Sequence, residues 1–450
     1  MSTAVLDVGK TNVKFVVFGE GGTLLYERQI PNASLADAPY PHVDVQKIWN
    51  FLGEELRQTA KRFKIKTLIP TTHGASCAVM NEHGLVLPIM DYEFTSVEDI
   101  TSRYDPLRDA FNQSYSPAMP AGLNVAKQLA WQKFHLELDF AKVTTIVGYP
   151  QYWVWRLTGQ FAFDISSMGA HTDLWRPVEN RPTQLAQTLG FDKLLAPIQP
   201  PWTKIGLLNN QVAEEFGVSP NIEILCGIHD SNAALLPYLA SRKTPFTVLS
   251  TGTWVVIMAI GHSLSSLKTG QDMYANIDAE GRPIACLKFM GGREFANIVQ
   301  DCKSPEKHED VQHFINAGIF ALPSFSPNGG PFAARKGEFI GSVEPHQKTS
   351  LATFYSALMC AHALELLQTN TGDLLVDGSF AQNHLLCEII AALRSGQNLY
   401  VAKDQAGTAR GAALLATWGE PHDPPETHLV KPAALNGLAA YYEKWKSLIT

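Results

Sequence analysis

The stretch AVLDVGKTNVKFVVFG, residues 4–19, consists of two apolar runs joined by the polar turn Gly9–Asn12. The first run carries Asp7 and ends at Gly9. The second ends at Gly19, and the Gly21–Gly22 pair then turns the chain into TLLYERQI, residues 23–30. Short apolar runs punctuated by Gly and Asn predict strands in hairpins, so the chain is expected to open with three consecutive antiparallel strands. A doubly wound dinucleotide-type fold does not usually begin that way. The GKT at residues 9–11 invites a P-loop reading, but that motif needs glycine at position 4, where this chain has Ala4, and a helix afterwards. Here a second strand follows.

The same arrangement recurs half a chain later. FTVLSTGTWVVIMAIG, residues 246–261, is again a strand, a small polar turn at Ser250–Thr253 and a strand. The repeat is faint, yet it suggests two similar domains. RKTP, residues 242–245, is the best boundary, giving domains 1–241 and 242–450. Between the two hairpins, residues 43–63 place Ile48, Phe51, Leu52 and Leu56 at helical spacing. TLIPTTHG reads as a strand entering a loop, and residues 77–90 as a hairpin turned at Glu82–Gly84. QYWVWRLTG, residues 151–159, reads as a helix stopped by Gly159. IEILCGIHD, residues 222–230, is expected to be one strand ending in a carboxylate, followed by a helix. Beyond it, residues 353–368 are expected to form an amphipathic helix, residues 373–393 a strand, loop and helix, and residues 407–419 a last helix.

Composition narrows the function. The 450 residues are 45% hydrophobic and 18% charged, with a formal net charge of −7. That is globular composition, and its acidity argues against a nucleic-acid or anionic-membrane partner. The six cysteines have no C-x-x-C spacing and suit buried reduced thiols. The longest apolar stretch, residues 253–261, is far too short to span a bilayer, and the N-terminus has no signal-peptide pattern. A soluble cytoplasmic protein is expected, with a homodimer as the assembly to look for.

Several polar clusters could carry chemistry. In Asp7–Lys14, a glycine after a carboxylate lets Gly9, Lys10, Thr11 and Asn12 approach phosphate oxygens through amides and a hydroxyl. Asp7 suits the hydrated Mg²⁺ of a nucleotide, and Lys14 adds positive charge if it points inward. Thr251, Gly252 and Thr253 could serve a phosphate in the same way. In isolation, both segments read more readily as ordinary turns. Asp230, at a strand end, is a candidate general base for a hydroxyl nucleophile, or simply the cap of the helix that follows. His73 and Gly74, with Asp91 and Glu93 in IMDYEF and with His171 and Asp173, set polar groups beside aromatics, as carbohydrate binding requires. Gly378, Ser379, Gln382 and Asn383 form a small-residue loop before a helix, against which an adenosine could lie.

Taken in order, these pieces resemble the FGGY carbohydrate kinases of the actin-like ATPase superfamily, in particular the deoxyketose kinases, and the resemblance runs over essentially the whole chain. The family's first phosphate motif, Asp-x-Gly-Thr-Thr-Ser-x-Arg/Lys, matches Asp7, Gly9, Thr11 and Lys14. Its central G-x-x-D matches Gly227 and Asp230, its second phosphate motif matches Gly252 and Thr253, and its HG matches His73 and Gly74. YWVWRLTGQ is similar to the family's LTG helix end, and Gly411–Ala416 to its closing motif. There are departures. The adenosine loop is Asp377-Gly378-Ser379-Phe380 rather than glycine-rich. The W-x-D-x-R substrate motif is replaced by MDYEF, without its Arg, and Asn328-Gly329-Gly330-Pro331 lacks the Arg of Gly-x-Arg-x-Pro.

The resemblance implies an α/β fold of two ribonuclease-H-like domains with an interdomain catalytic cleft. It further implies ATP-dependent phosphorylation of a five- or six-carbon ketose or related sugar, with Asp230 as base, ATP and Mg²⁺ as cofactors, and Asp7 on the metal. A nucleotide-binding regulator of the same fold without turnover is the alternative.

Overall fold

The structure is a computed structural model and describes residues 2–327, 329–403 and 407–449, so Asn328 of the Gly-x-Arg-x-Pro comparison lies outside the described residues. The chain divides into two compact units. One gathers the chain up to Ser241 with Ala275–Pro283 and a segment ending at Pro424. The other comprises Arg242–Tyr274, a stretch starting at Ile284, and the chain from Pro425 onward.

In the first unit, β1 (Ser2–Val8), β2 (Asn12–Phe18) and β3 (Leu24–Pro31) form the expected antiparallel meander. Asp44 starts α1 (Val45–Ala60) by accepting a hydrogen bond from the Lys47 amide at 3.0 Å. The helix buries Ile48, Phe51, Leu52 and Leu56. The chain then returns as β4 (Ile65–Thr72), parallel to β1. The helix α2 (Tyr149–Thr158) starts two residues before its expected position and ends at Gly159, whose φ is +77°.

The apolar stretch at 222–230 is not one strand. After β5 (Lys204–Leu207), it splits into β6 (Glu223–Leu225) and β7 (Ile228–His229), broken at Gly227. There φ is +81°, and a Cβ would stand 2.4 Å from the Pro70 carbonyl oxygen, so only glycine lets the chain step this close to β4. The first sheet runs β5-β6-β4-β1-β2-β3, with β7 also paired to β4. Alternation along β1 sends Ala4, Leu6 and Val8 into the core shared with α1. Val5 goes into a second core with Ala233 and Leu236 of α3 (Asp230–Ser241) and with Ala409 and Ala412. Helices therefore cover both faces, and the central strands are apolar on both sides.

The second unit repeats the plan. β8 (Phe246–Thr251) is antiparallel to β9 (Val255–Ile260), which is antiparallel to β10 (Pro283–Phe289). Helix α4 (Lys348–Leu366) precedes β11 (Asp373–Gly378), which lies parallel to β8. Helix α5 (His384–Leu393), β12 (Leu399–Ala402) and the edge strand β13 (Thr427–Leu429) complete the unit. The order β10-β9-β8-β11-β12 repeats the β3-β2-β1-β4-β6 order of the first sheet, so the faint sequence echo corresponds to matching topology. One expectation fails. α4 is not amphipathic but buried nearly all round, from Ser350 to Ala361 and again at Ala363 and Leu364. Its serines and threonines allow close packing and mimic a polar face in the sequence.

Candidate active site

In the first unit, pairing aligns Asp7 with Lys14 on β2 and Thr71 on β4, and aligns Thr71 in turn with Ile228 on β7. Asp230 follows two residues later, at the start of α3. The loops leaving the carboxyl ends of β1, β4 and β7 therefore emerge at one edge of the sheet, where α/β folds place their ligands. The tight turn after β1 is closed by Gly9 N–H donating to the Asn12 carbonyl at 2.9 Å. Asn32, which the sequence reading passed over, fastens it by donating to the Gly9 carbonyl at 2.8 Å.

Asp7 and Asp230 sit close enough to interact. Burial, and then the Asp230 carboxylate, push the Asp7 carboxyl up to about 7, while Lys14 pulls it down. Among the described residues no hydrogen-bond donor or ion pair reaches the Asp7 carboxylate. Asp230 is held on one oxygen only. Its Oδ1 accepts from the Ser231 amide at 2.6 Å and the Ser231 hydroxyl at 3.3 Å, and lies 3.2 Å from His229 Nε2. No donor among the described residues reaches Oδ2. Asp230 is itself the first residue of its helix, one place inside the capping position, and keeps a second oxygen unengaged.

His73 packs between Tyr92 and Tyr149, with ring centroids 5.3 and 5.1 Å away. Its Nδ1 lies 2.8 Å from the Gly74 carbonyl and donates to it. Burial lowers the pKa of His73, against the opposing influence of that carbonyl and of Asp230. The ring is therefore neutral near pH 7 and presents Nε2 as an acceptor. Gly74 is small for a steric reason, since a Cβ there would stand 2.5 Å from His229 Nε2.

Lys10 does not point free into the turn. It pairs with Asp91, lies 3.2 Å from Glu93, and stands 4.7 Å from the centre of the Tyr92 ring. Burial would raise the pKa of Asp91, but hydrogen bonds from Lys10, Ser34 and the Glu93 amide hold it below its usual value. Tyr92 is pushed up to about 12 by burial and by the surrounding carboxylates. Lys10, Asn32, Ser34, His73, Asp91 and Tyr92 together line a small pocket. Asp173 is not part of it, because Arg108 and Tyr104 hold its carboxylate at 2.7–2.9 Å.

In the second unit, the Gly252 amide closes the turn on the Trp254 carbonyl at 2.9 Å, leaving Thr253 exposed. Thr251 is not free for a ligand. Its hydroxyl donates to the Asp377 carbonyl and accepts from the Phe380 amide at 2.9 Å, tying β8 to the loop after β11. Asn383 is also engaged, since its Oδ1 caps α5 through the Leu386 amide and its Nδ2 donates to Thr353, both at 2.9 Å. Ser379 and Gln382 are exposed at the same end of the sheet.

Among the described residues no helix is long and apolar enough to cross a membrane, and no cluster of three or more His, Cys, Asp or Glu forms a metal site. Comparison with known proteins agrees with the topology. The FGGY family of carbohydrate kinases, N-terminal domain, matches residues 3–237, and the Carbohydrate kinase FGGY, C-terminal domain, matches residues 243–424. A carbohydrate kinase from Novosphingobium aromaticivorans shares 30% identity at a TM-score of 0.93, over 99% of this chain and 100% of its own. A xylulose kinase from Lactobacillus acidophilus has the same fold, with a TM-score of 0.78 over 99% of this chain and 97% of its own, at 17% identity. The L-fuculokinase of Haemophilus influenzae is 27% identical over 278 residues, 57% of either chain, so the match spans little more than half the length of that relative. With both of the family's domains matched in order over the two repeated sheets, the chain belongs to the FGGY family of carbohydrate kinases.

Proposed function

We propose that this chain transfers the γ-phosphoryl group of ATP to a hydroxyl of a small ketose, with Asp230 as general base. The observation that carries this reading is the asymmetry of Asp230, whose Oδ1 takes three contacts while Oδ2 has none among the described residues. In the proposed reaction, Oδ2 accepts the proton of the sugar hydroxyl as that oxygen bonds to the γ-phosphorus and the bond to the ADP leaving oxygen breaks. Neutral His73 accepts a hydrogen bond from a second sugar hydroxyl through Nε2. The Tyr92 ring offers an apolar face to the sugar's C–H groups, and Lys10 holds Asp91 and Glu93 in place beside them.

The nucleotide reading rests on Gly9–Asn12 in the first unit and on Gly252, Thr253, Gly378, Ser379 and Gln382 in the second. Asp7 fits a hydrated Mg²⁺, because a carboxylate raised to about 7 beside a second carboxylate, with no donor on it, is relieved by a cation. Bound there, Mg²⁺ would supply charge neutralisation for the phosphates. The relatives named L-fuculokinase and rhamnulokinase favour a six-carbon deoxyketose over a polyol.

The test is sugar-dependent ADP release across a panel of ketoses, aldoses and polyols, with the phosphorylated product identified by mass. A ketose should give the highest kcat/KM. Nucleotide binding without ADP release on any sugar would leave a regulator of the same fold and refute the proposal.

A further inference from the structure

We propose that the Lys10 side chain is a specificity-determining donor of the sugar pocket, held by Asp91 so that its ammonium meets a sugar hydroxyl, while only the main chain of Lys10 serves the phosphate turn. The inference rests on the sugar-kinase reading of the site.

The Gly9 amide and the Asn32 side chain fix the turn that carries the Lys10 backbone. From there the side chain could run toward the phosphates that the turn would cradle, or toward the segment that starts at Asp91. It takes the second course. Its ammonium donates to Asp91 Oδ1, which also accepts from the Glu93 amide at 2.9 Å. Asp91 is buried, and among the described residues Lys10 is the only ion-pair partner of its carboxylate. A buried carboxylate stripped of its cation is costly, so the pair does not open to let the ammonium turn to a phosphate. The Asp91 main chain is fixed as well, its amide donating to the Pro41 carbonyl at 2.9 Å and its carbonyl accepting from the Phe94 amide at 3.0 Å.

Held in this way, Lys10 lines the same small pocket as Asn32, Ser34 and His73. A lysine carries three donor hydrogens, and Asp91 takes one. Glu93, exposed and 3.2 Å away, is a second counter-charge. Nζ stands 4.7 Å from the centre of the Tyr92 ring, and that ring meets His73 edge-on at 5.3 Å. A donor and an acceptor therefore flank one tyrosine, Lys10 Nζ and Nε2 of the neutral His73. Burial is the main reason that His73 is neutral, and the Lys10 charge adds to it. Two hydroxyls of one sugar fit this arrangement, one accepting from Lys10 and one donating to His73. The charges also set the class of sugar. Asp91 and Glu93 outnumber Lys10, so a sugar acid, which would bring a third carboxylate, is disfavoured against a neutral sugar.

The experiment compares steady-state kinetics of wild type, Lys10→Met and Lys10→Arg on the best neutral sugar, on its monodeoxy analogues at each carbon other than the one phosphorylated, and on the corresponding sugar acid. Methionine keeps the unbranched stem without the charge, whereas arginine keeps the charge and the pair but moves the donors. Lys10→Met should raise the sugar KM about 10- to 100-fold, the scale of a hydrogen bond to a charged group, with the KM for ATP little changed. One analogue, lacking the hydroxyl that Lys10 meets, should be poor on wild type and no poorer on Lys10→Met, because its partner is already gone. The other analogues should lose as much as the parent sugar does. The sugar acid should be a poor substrate of wild type.

A KM for ATP that rises in Lys10→Met as much as the sugar KM puts the ammonium on the phosphates and overturns the proposal. An unchanged sugar KM in the folded variant overturns it too, as does an equal loss on every analogue, which makes Lys10 a structural partner of Asp91 alone. Wild type that prefers the sugar acid overturns the assignment of class. If Lys10→Met does not fold, Lys10→Arg decides, since it keeps the ion pair. It should change the relative rates on the analogues with the KM for ATP unchanged, and identical relative rates overturn the proposal. Wild type that releases no ADP with any sugar fails a step earlier, at the sugar-kinase reading, and takes the proposal with it.

Discussion

Replacing Asp7 by asparagine should make the metal-free protein progressively more stable than wild type as the pH rises. The Asp7 carboxyl is raised from 3.8 to about 7, first by burial and then by Asp230. A shift of roughly 3 units at 1.36 kcal/mol each amounts to about 4 kcal/mol. The sign follows from proton counting. A carboxyl whose folded pKa lies above its unfolded value keeps its proton in the native state after the unfolded chain has ionised. Stability is therefore lost as pH climbs from near 4 to near 7. His73 acts in the opposite sense, because its folded pKa lies below 6.5. Its contribution is complete above pH 6.5 and is lost as pH falls, so the wild-type curve is composite and only the difference from the variant isolates Asp7.

Urea unfolding of both proteins in chelator from about pH 4.5 to pH 8 should show the variant gaining about 3–4 kcal/mol on wild type across that range. Curves parallel to within about 1 kcal/mol would refute the reasoning. Adding Mg²⁺ at the alkaline end should restore wild type and leave the variant unmoved, because only wild type holds the carboxylate that the cation relieves.

Three further outcomes are expected. Asp230→Asn should lower turnover by about 10²-fold or more while nucleotide affinity by calorimetry is retained; near-normal turnover would reduce Asp230 to a helix start. His73→Ala should raise the sugar KM and flatten the preference between epimers with the KM for ATP unchanged, because a buried hydroxyl partner is lost; a fall in Tm with epimer preference intact would make His73 structural. Gly378→Ala should destabilise by about 2 kcal/mol or more, because φ is +88° and the new Cβ would meet the Thr251 carbonyl oxygen at 1.9 Å; an unchanged Tm would show that the β8–β11 contact yields easily.

What the sequence determined by itself was the part written in short-range signals. Strand alternation and the turn residues after Asp7 and Ser250 announced the opening hairpin of each unit. Gly159 announced a helix end, whereas Asp230, read as a strand's last carboxylate, is the first residue of α3. These depend on neighbours a few positions away, and periodicity and turn chemistry record them. The break at Gly227 escaped notice because the need for it comes from Pro70, a residue on another strand. α4 misled because burial on every side leaves no periodicity to read.

The site divides in the same way. Its residue types could be read from the sequence, but their engagements could not. Lys10 was read only as part of the phosphate turn, and Asp91 and Glu93, some eighty residues away, are what hold its side chain. Thr251 and Asn383 resembled ligand donors until the loop after β11 and the Thr353 hydroxyl used them. His229 stood beside Asp230 in the chain without drawing attention, and only the folded chain sets its Nδ1 3.3 Å from the Asn232 side-chain nitrogen. Hydrogen bonds between residues distant in sequence leave no spacing behind, so tertiary structure alone decided which polar groups remain available for chemistry.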